Sequence, residues 1–206
     1  MLLAMNEAPR RAPRLTVFAY DISSPKRARR VRKLLAALHL GKQYSVFETL
    51  LHPPACRGVL AELSELCDLG QDRLAVWWPR HSVRLEWRQG AAKPIARSLG
   101  AGGAAPAAFD GTGNFVLCYD IGDPDALLRV GAQVAAHGVF VQRSVYYLRL
   151  PGRKLTKVAA SCAREISAHD RLWVYPLAGA GALWRIGAMD SSVLPIATDR
   201  WLGRRA

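Results

Sequence analysis

The chain has 206 residues, half of them apolar, which is enough for one medium or two small domains with packed cores. Its 29 Lys and Arg against 16 Asp and Glu give a net charge of +13 and a pI near 10.3, favouring a polyanionic partner such as nucleic acid over acidic small molecules. Cys56, Cys67, Cys118 and Cys162 are scattered without a C-x-x-C pair, which argues against a zinc module or a disulfide scaffold. The opening "MLLAMNEAPRRAPR" is too short in apolar residues for a signal peptide, and no run of 18 apolar residues occurs. A soluble cytoplasmic protein with reduced thiols and no membrane contact is therefore expected.

In chain order, "RLTVFAYDI" is short and dense in β-formers, predicting a buried strand from Leu15 to about Ile22. Ser23 and Ser24 before Pro25 make a helix start, and the helix is expected to run to about Leu40 and stop at Gly41. "KQYSVFETLL" supplies both or most of the middle strands, "PPACRGVLAELSELCD" has helical spacing, and "RLAVWWP" is a further strand. "GAAKPIARSLGAGGAAPAAFDGTGN", residues 90–114, is rich in Gly, Ala and Pro and reads as a linker. The order then returns as "FVLCYDI", a helix from Pro124, "VFVQRSVYYLRL", a helix from about Leu155, and "RLWVYP".

A shift of 99 places superimposes Tyr20, Asp21, Ile22 and Pro25 on Tyr119, Asp120, Ile121 and Pro124, and Gln43, Ser45 and Val46 on Gln142, Ser144 and Val145. A shift of 98 aligns Asp72, Arg73, Leu74 and Val76 with Asp170, Arg171, Leu172 and Val174. These ordered matches indicate two homologous units, residues 1–89 and 115–206, the second degenerate and ending in a C-terminal tail. Strand and helix alternation gives the α+β class, with two tandem ferredoxin-like βαββαβ units packed as an intramolecular pseudo-dimer. Each sheet's helix-free face would otherwise stay wet, so the sheets should pack together using Val17, Phe18, Val46 and Phe47. "SVRLEWRQ" and "ALWRIGAM" are each available to extend the opposite unit's sheet.

On the first predicted helix Val31, Leu34, Leu35 and Leu38 share one side, while Lys26, Arg29, Arg30 and Lys33 recur on the other at i, i+3, i+4 and i+7. Like charges at these spacings repel, and no acidic residue occurs between Ile22 and Tyr44 to offset them. Together with Arg27, Arg32 and Lys42 they form the candidate phosphate-binding set. The first hundred residues carry +9 and the remainder +4, so the first unit is expected to dominate that binding.

Leu15, Val17, Ala19 and Asp21 fall on one side of their strand, and Asp120 follows Val116 and Cys118 likewise. Such a carboxylate can cap the next helix, pair with an arginine, or serve as a hard oxygen ligand for Mg²⁺. A pseudo-two-fold axis would bring Asp21 and Asp120 toward each other. His39, His52, His81, His137 and His169 lack zinc spacing, and the six tryptophans read as core or interface residues.

"YDISSPKRARRVRKLL", "GKQYSVFE" and "DRLAVWWP" resemble the CRISPR-associated protein two family over Leu15 to Pro79, and a weaker resemblance covers Phe115 to Pro176. The second copy keeps "YDI", Pro124 and "QRSVYY", but Tyr147 stands where the first block has Glu48, and its helix keeps only Arg129 of the cations. The resemblance implies a ferredoxin-like two-fold dimer that binds double-stranded prespacer DNA and bridges dimers of CRISPR-associated protein one, the integrase. It also implies, in several members, Mg²⁺-dependent endoribonuclease or endodeoxyribonuclease activity at the aspartate matching Asp21 and Asp120. A non-catalytic scaffold is the favoured expectation, with a metal-dependent endonuclease or a toxin-like ribonuclease as alternatives.

Overall fold

The computed structural model describes residues 12–38, 41–43, 46–68, 70–99 and 111–187. His39, Trp201 and the tail after residue 187 lie outside the described residues. The first strand, β1 (Arg14–Asp21), leads into α1 (Pro25–Ala36). Ser24 caps this helix, its hydroxyl accepting from the Arg27 amide at 3.4 Å, and Pro25 occupies the first turn where no amide is needed. Helix α1 ends at Ala36, short of the expected Leu40, as the Leu38 carbonyl accepts the Thr49 hydroxyl at 2.6 Å. A buried side chain 11 residues away thus draws the chain off the helical path.

The hairpin β2 (Gly41–Gln43) and β3 (Val46–Leu51) follows, then α2 (Pro53–Leu66) and β4 (Arg73–Trp77). A 3₁₀ turn at Arg80–Ser82 passes the chain to β5 (Val83–Trp87) and β6 (Ile95–Ser98). The second unit comprises β7 (Thr112–Asp120), α3 (Pro124–Ala135), β8 (Gly138–Gln142), β9 (Val145–Pro151), α4 (Gly152–Glu165) and β10 (Arg171–Leu177). A last 3₁₀ turn leads to β11 (Leu183–Gly187).

The strands form two antiparallel sheets, β11-β4-β1-β3-β2 and β6-β5-β10-β7-β9-β8. Both units are therefore α+β and ferredoxin-like, and each donates a strand to the other. Strand β5 belongs to the first unit yet pairs with β10, Leu85 opposite Val174, while β11 pairs with β4, Trp184 opposite Val76. This exchange covers one edge of each ferredoxin-like sheet and laces the units together.

Part of the expected linker forms strands. Ile95–Ser98 forms β6, and Thr112 to Asn114 already belong to β7. All four β6 residues are exposed, so no apolar run marked the strand; pairing with β5 and the Arg97–Glu86 ion pair at 2.9 Å hold it. Helix α4 begins at Gly152, three residues before the expected start, with Pro151 in extended geometry just before it.

Helices lie on the outer faces, over Phe18, Phe47 and Val76 in the first unit and over Leu117, Leu148 and Val174 in the second. Leu15, Val17, Ala19 and Val46 face the other sheet's Val116, Cys118, Val145 and Tyr175. Two-residue alternation separates the four residues expected at this seam: Val17 and Val46 reach it, whereas Phe18 and Phe47 point under the helices. Cutting the chain between Leu99 and Gly111 is expected to leave the halves associated through the exchanged strands; two separate species on a sizing column would contradict this.

Candidate nucleic-acid interface and carboxylate cleft

Helix α1 buries Val31 and Leu35 against its sheet and leaves Lys26, Arg29, Arg30, Arg32 and Lys33 exposed. Lys26, Arg29, Arg30 and Lys33 make no ion pair among the described residues. Arg32 donates from Nε to the Tyr20 hydroxyl at 3.3 Å, turning it toward the strand end. Lys42 lies in β2, its backbone opposite Phe47, and its side chain is outside the described residues.

Arg27 differs from its neighbours. Its Nε donates to Asp72 Oδ2 at 2.7 Å and its Nη2 to Asp72 Oδ1 at 3.1 Å, with Asp68 at 4.0 Å. The hydrogen bond to Asp72 raises the guanidinium pKa further. The local sequence lacks an acid to offset the helix, but the tertiary structure brings one from 45 residues away. Arg27 is thus engaged in holding the fold rather than left open for phosphate.

Asp72 also explains the turn between β1 and α1. Its Oδ1 accepts the Ser23 amide and hydroxyl, each at 3.0 Å, and its Oδ2 accepts the Asp68 amide at 2.9 Å. In the second unit Asp170 accepts the Gly122 amide at 2.9 Å and the Ser167 amide at 2.7 Å. Neither Asp21 nor Asp120 caps the following helix, a role filled by Ser24 and Asp123. Asp72 and Asp170 escaped the sequence reading as functional positions, although the repeated "DRL" marked both.

Asp21 and Asp120 line one cleft of about 400 Å³ between the units, with the equivalent pairs Tyr20 and Tyr119, and Ile22 and Ile121. Arg32 and Arg143 line it as well. Asp21 is opposite Arg73 across β1 and β4, and Arg73 Nη1 donates to it at 3.4 Å. That is a long bond between half-exposed partners, of little consequence for stability. Asp120 is opposite Arg171, but Arg171 Nη1 turns instead to the carbonyls of His169 and Asp170. Burial chiefly raises the Asp120 pKa, the Asp170 charge adds to it, and Arg171 only partly opposes them.

Among the described residues no group of three or more His, Cys, Asp or Glu side chains gathers. Mg²⁺ is nevertheless commonly held by one or two carboxylates, with water and substrate phosphate completing its shell. Asp21 and Asp120 fit that limited donor set, and a cation beside Asp120 would offset the burial and the Asp170 charge that raise its pKa. A bound divalent ion would supply Lewis-acid stabilisation of phosphate charge.

A second basic surface was missed. Arg153, Lys154, Lys157 and Arg164 are all exposed on α4, with Lys154, Lys157 and Arg164 at i, i+3 and i+10. The apolar residues Leu155, Val158, Ala159 and Cys162 face the sheet, so the cations occupy the outer side. The signal was present in "GRKLTKVAASCAR", but comparing only equivalent helices hid it: the basic helix is the first of the first unit and the second of the second unit. None of the described helices is long and apolar enough to cross a membrane.

The family model described as CRISPR associated protein Cas2 matches residues 14–82 and 114–181. The "CRISPR-associated endoribonuclease Cas2 1" of Nitrosomonas europaea is 37% identical over 75 residues, 36% of this chain and 71% of the relative. The "CRISPR-associated endoribonuclease Cas2 2" of the same organism is 37% identical over 62 residues, 30% of this chain and 55% of the relative. A solved structure titled as a hypothetical protein TT1823 from Thermus thermophilus aligns at 28% identity and a TM-score of 0.31, covering 46% of this chain and 95% of that one. With the family's unit matched once in each half and each match stopping just before the strand exchanged with the other, the chain belongs to the Cas2 family as a tandem duplication within one polypeptide.

Proposed function

We propose that the protein is a CRISPR adaptation subunit, a scaffold that holds duplex DNA and bridges integrase dimers of CRISPR-associated protein one during spacer acquisition. The observation that carries this reading is the outer face of α1, where Lys26, Arg29, Arg30 and Lys33 stand exposed without ion pairs among the described residues. Cations in such an array repel one another until phosphates neutralise them, and released counterions then drive binding without reading bases. The α4 cations extend the reading to the second unit, so the first unit does not carry the DNA alone. Purification with the integrase and duplex DNA is the direct test. Failure of the intact chain to retain either one at low salt would overturn the proposal.

A second reading, a Mg²⁺-dependent endonuclease, is favoured by one observation: both strand-end aspartates line the same cleft and neither holds the turn or caps a helix. The curated relatives carry the name endoribonuclease. The Asp21→Asn, Asp120→Asn double variant separates the readings because it keeps side-chain size and removes both charges. It is expected to fold, bind duplex DNA and support integration, while any Mg²⁺-dependent cleavage disappears. Loss of integration with binding and assembly intact would transfer the chemistry to these carboxylates.

A further inference from the structure

The backbone repeats, but the seam between the sheets does not. Register fixes the equivalences: Glu48 is opposite Val17 and Tyr147 opposite Val116, while Leu85 is opposite Val174 and Trp184 opposite Val76. Trp77 therefore corresponds to Tyr175, and Arg84 to Leu183. Trp77 and Tyr175, both fully buried, meet each other edge-on with ring centroids 5.6 Å apart, so the pseudo-two-fold axis passes beside unlike residues.

On one side of that axis lies a polar cluster. The Tyr175 hydroxyl donates to Glu48 Oε1 at 2.9 Å, and Arg84 donates to both Glu48 and Glu86 while its guanidinium lies 4.1 Å from the Trp173 ring centroid. Arg97 of β6 closes the chain on Glu86 at 2.9 Å. On the other side the equivalent positions hold Tyr147, Leu183 and Trp77, all in the apolar seam, and Tyr147 donates its hydroxyl to Asn114 of its own sheet.

We propose that this seam selects unlike partners: the first unit's sheet fits the second unit's sheet and rejects a second copy of itself. Two first units would set Trp77 against Trp77, overfilling the axis, and would leave both Glu48 carboxylates without the phenol that they accept. Two second units would set Tyr175 against Tyr175, losing ring volume, with each buried hydroxyl facing the position of Tyr147 instead of a carboxylate. Only the mixed pair meets both the volume and the hydrogen-bond requirement. Pairing of this kind gives every particle one α1 face and one α3 face, so its two ends differ for any partner that docks on them.

The test uses the intact chain carrying a protease site between Leu99 and Gly111, cut after folding, partly dissociated in denaturant and allowed to re-form. Native mass spectrometry is expected to show mixed pairs alone. Like pairs in statistical proportion would overturn the proposal. Tyr175→Phe removes the buried donor, and like pairs of second units should then become detectable. The Glu48→Tyr, Trp77→Tyr, Arg84→Leu variant should permit like pairs of first units; strict mixed pairing in both variants would place the selectivity elsewhere. Should the cut halves fail to re-form, the uncut chain still decides: Tyr175→Phe and Glu48→Gln should lower the melting temperature non-additively, and additive shifts would count against the proposal.

Discussion

Replacing Arg29, Arg30 and Lys33 together by alanine is expected to weaken duplex binding by up to roughly two orders of magnitude near 0.1 M salt, irrespective of sequence. Each lost phosphate contact should also flatten the dependence of log affinity on log salt by about 0.9. The fold should be untouched, since all three side chains are exposed and only Val31 and Leu35 of α1 are buried. Arg27→Ala serves as the contrast: it should lower stability and leave the salt slope nearly unchanged, because its guanidinium is bonded to Asp72. Alanine at Lys154, Lys157 and Arg164 should reduce the slope independently if α4 also touches phosphate. Binding measured by fluorescence anisotropy across a salt series decides the matter, and an unchanged slope in the α1 variant would remove that helix from the interface.

The largest stability loss is expected from Asp72→Ala, about 2–3 kcal/mol, the scale for a carboxyl held at about 2 against an ordinary value near 4. The Asp72 side chain is fully buried and serves Ser23, Arg27 and the Asp68 amide at once. Burial alone pushes this carboxyl upward, yet hydrogen bonds from Arg27, Asp68 and Ser23 hold it down at about 2. Its folded pKa is thus below the ordinary value near 4, so the unfolded chain takes up the proton first as pH falls. The stabilisation is complete above about pH 4 and is lost between about pH 4 and 2. Urea unfolding of the wild type should show that acid-side loss, and Asp72→Ala should lack it. Asp170→Ala should cost less, because Asp170 accepts backbone amides and has no arginine partner among the described residues. A wild-type acid profile retained in Asp72→Ala would refute this account.

Much of the fold is legible in the sequence because local chemistry repeats. Short, nearly continuous runs of β-forming apolar residues mark β1 and β7, and serine or aspartate before proline starts α1 and α3. The offset of 99 carries the same order through both halves. The exposed strand β6 is not legible, since it has no buried face and depends on β5 and Glu86 for its place. Nor is the length of α1, which is cut short by a hydroxyl from β3.

The candidate sites divide along the same line. The sequence by itself determined that six cations crowd one helix and that an aspartate ends the first strand of each unit, because those are properties of neighbours a few residues apart. Only the tertiary structure decided that Arg27 is bound by Asp72, that Asp21 and Asp120 share a cleft, that the basic helix of the second unit is α4, and that Glu48 meets Tyr175 across 127 residues of chain. Backbone periodicity reports which face a side chain takes, but an ion pair or a shared cleft depends on distances set by sheet packing and strand exchange, and those arise only when both units fold together.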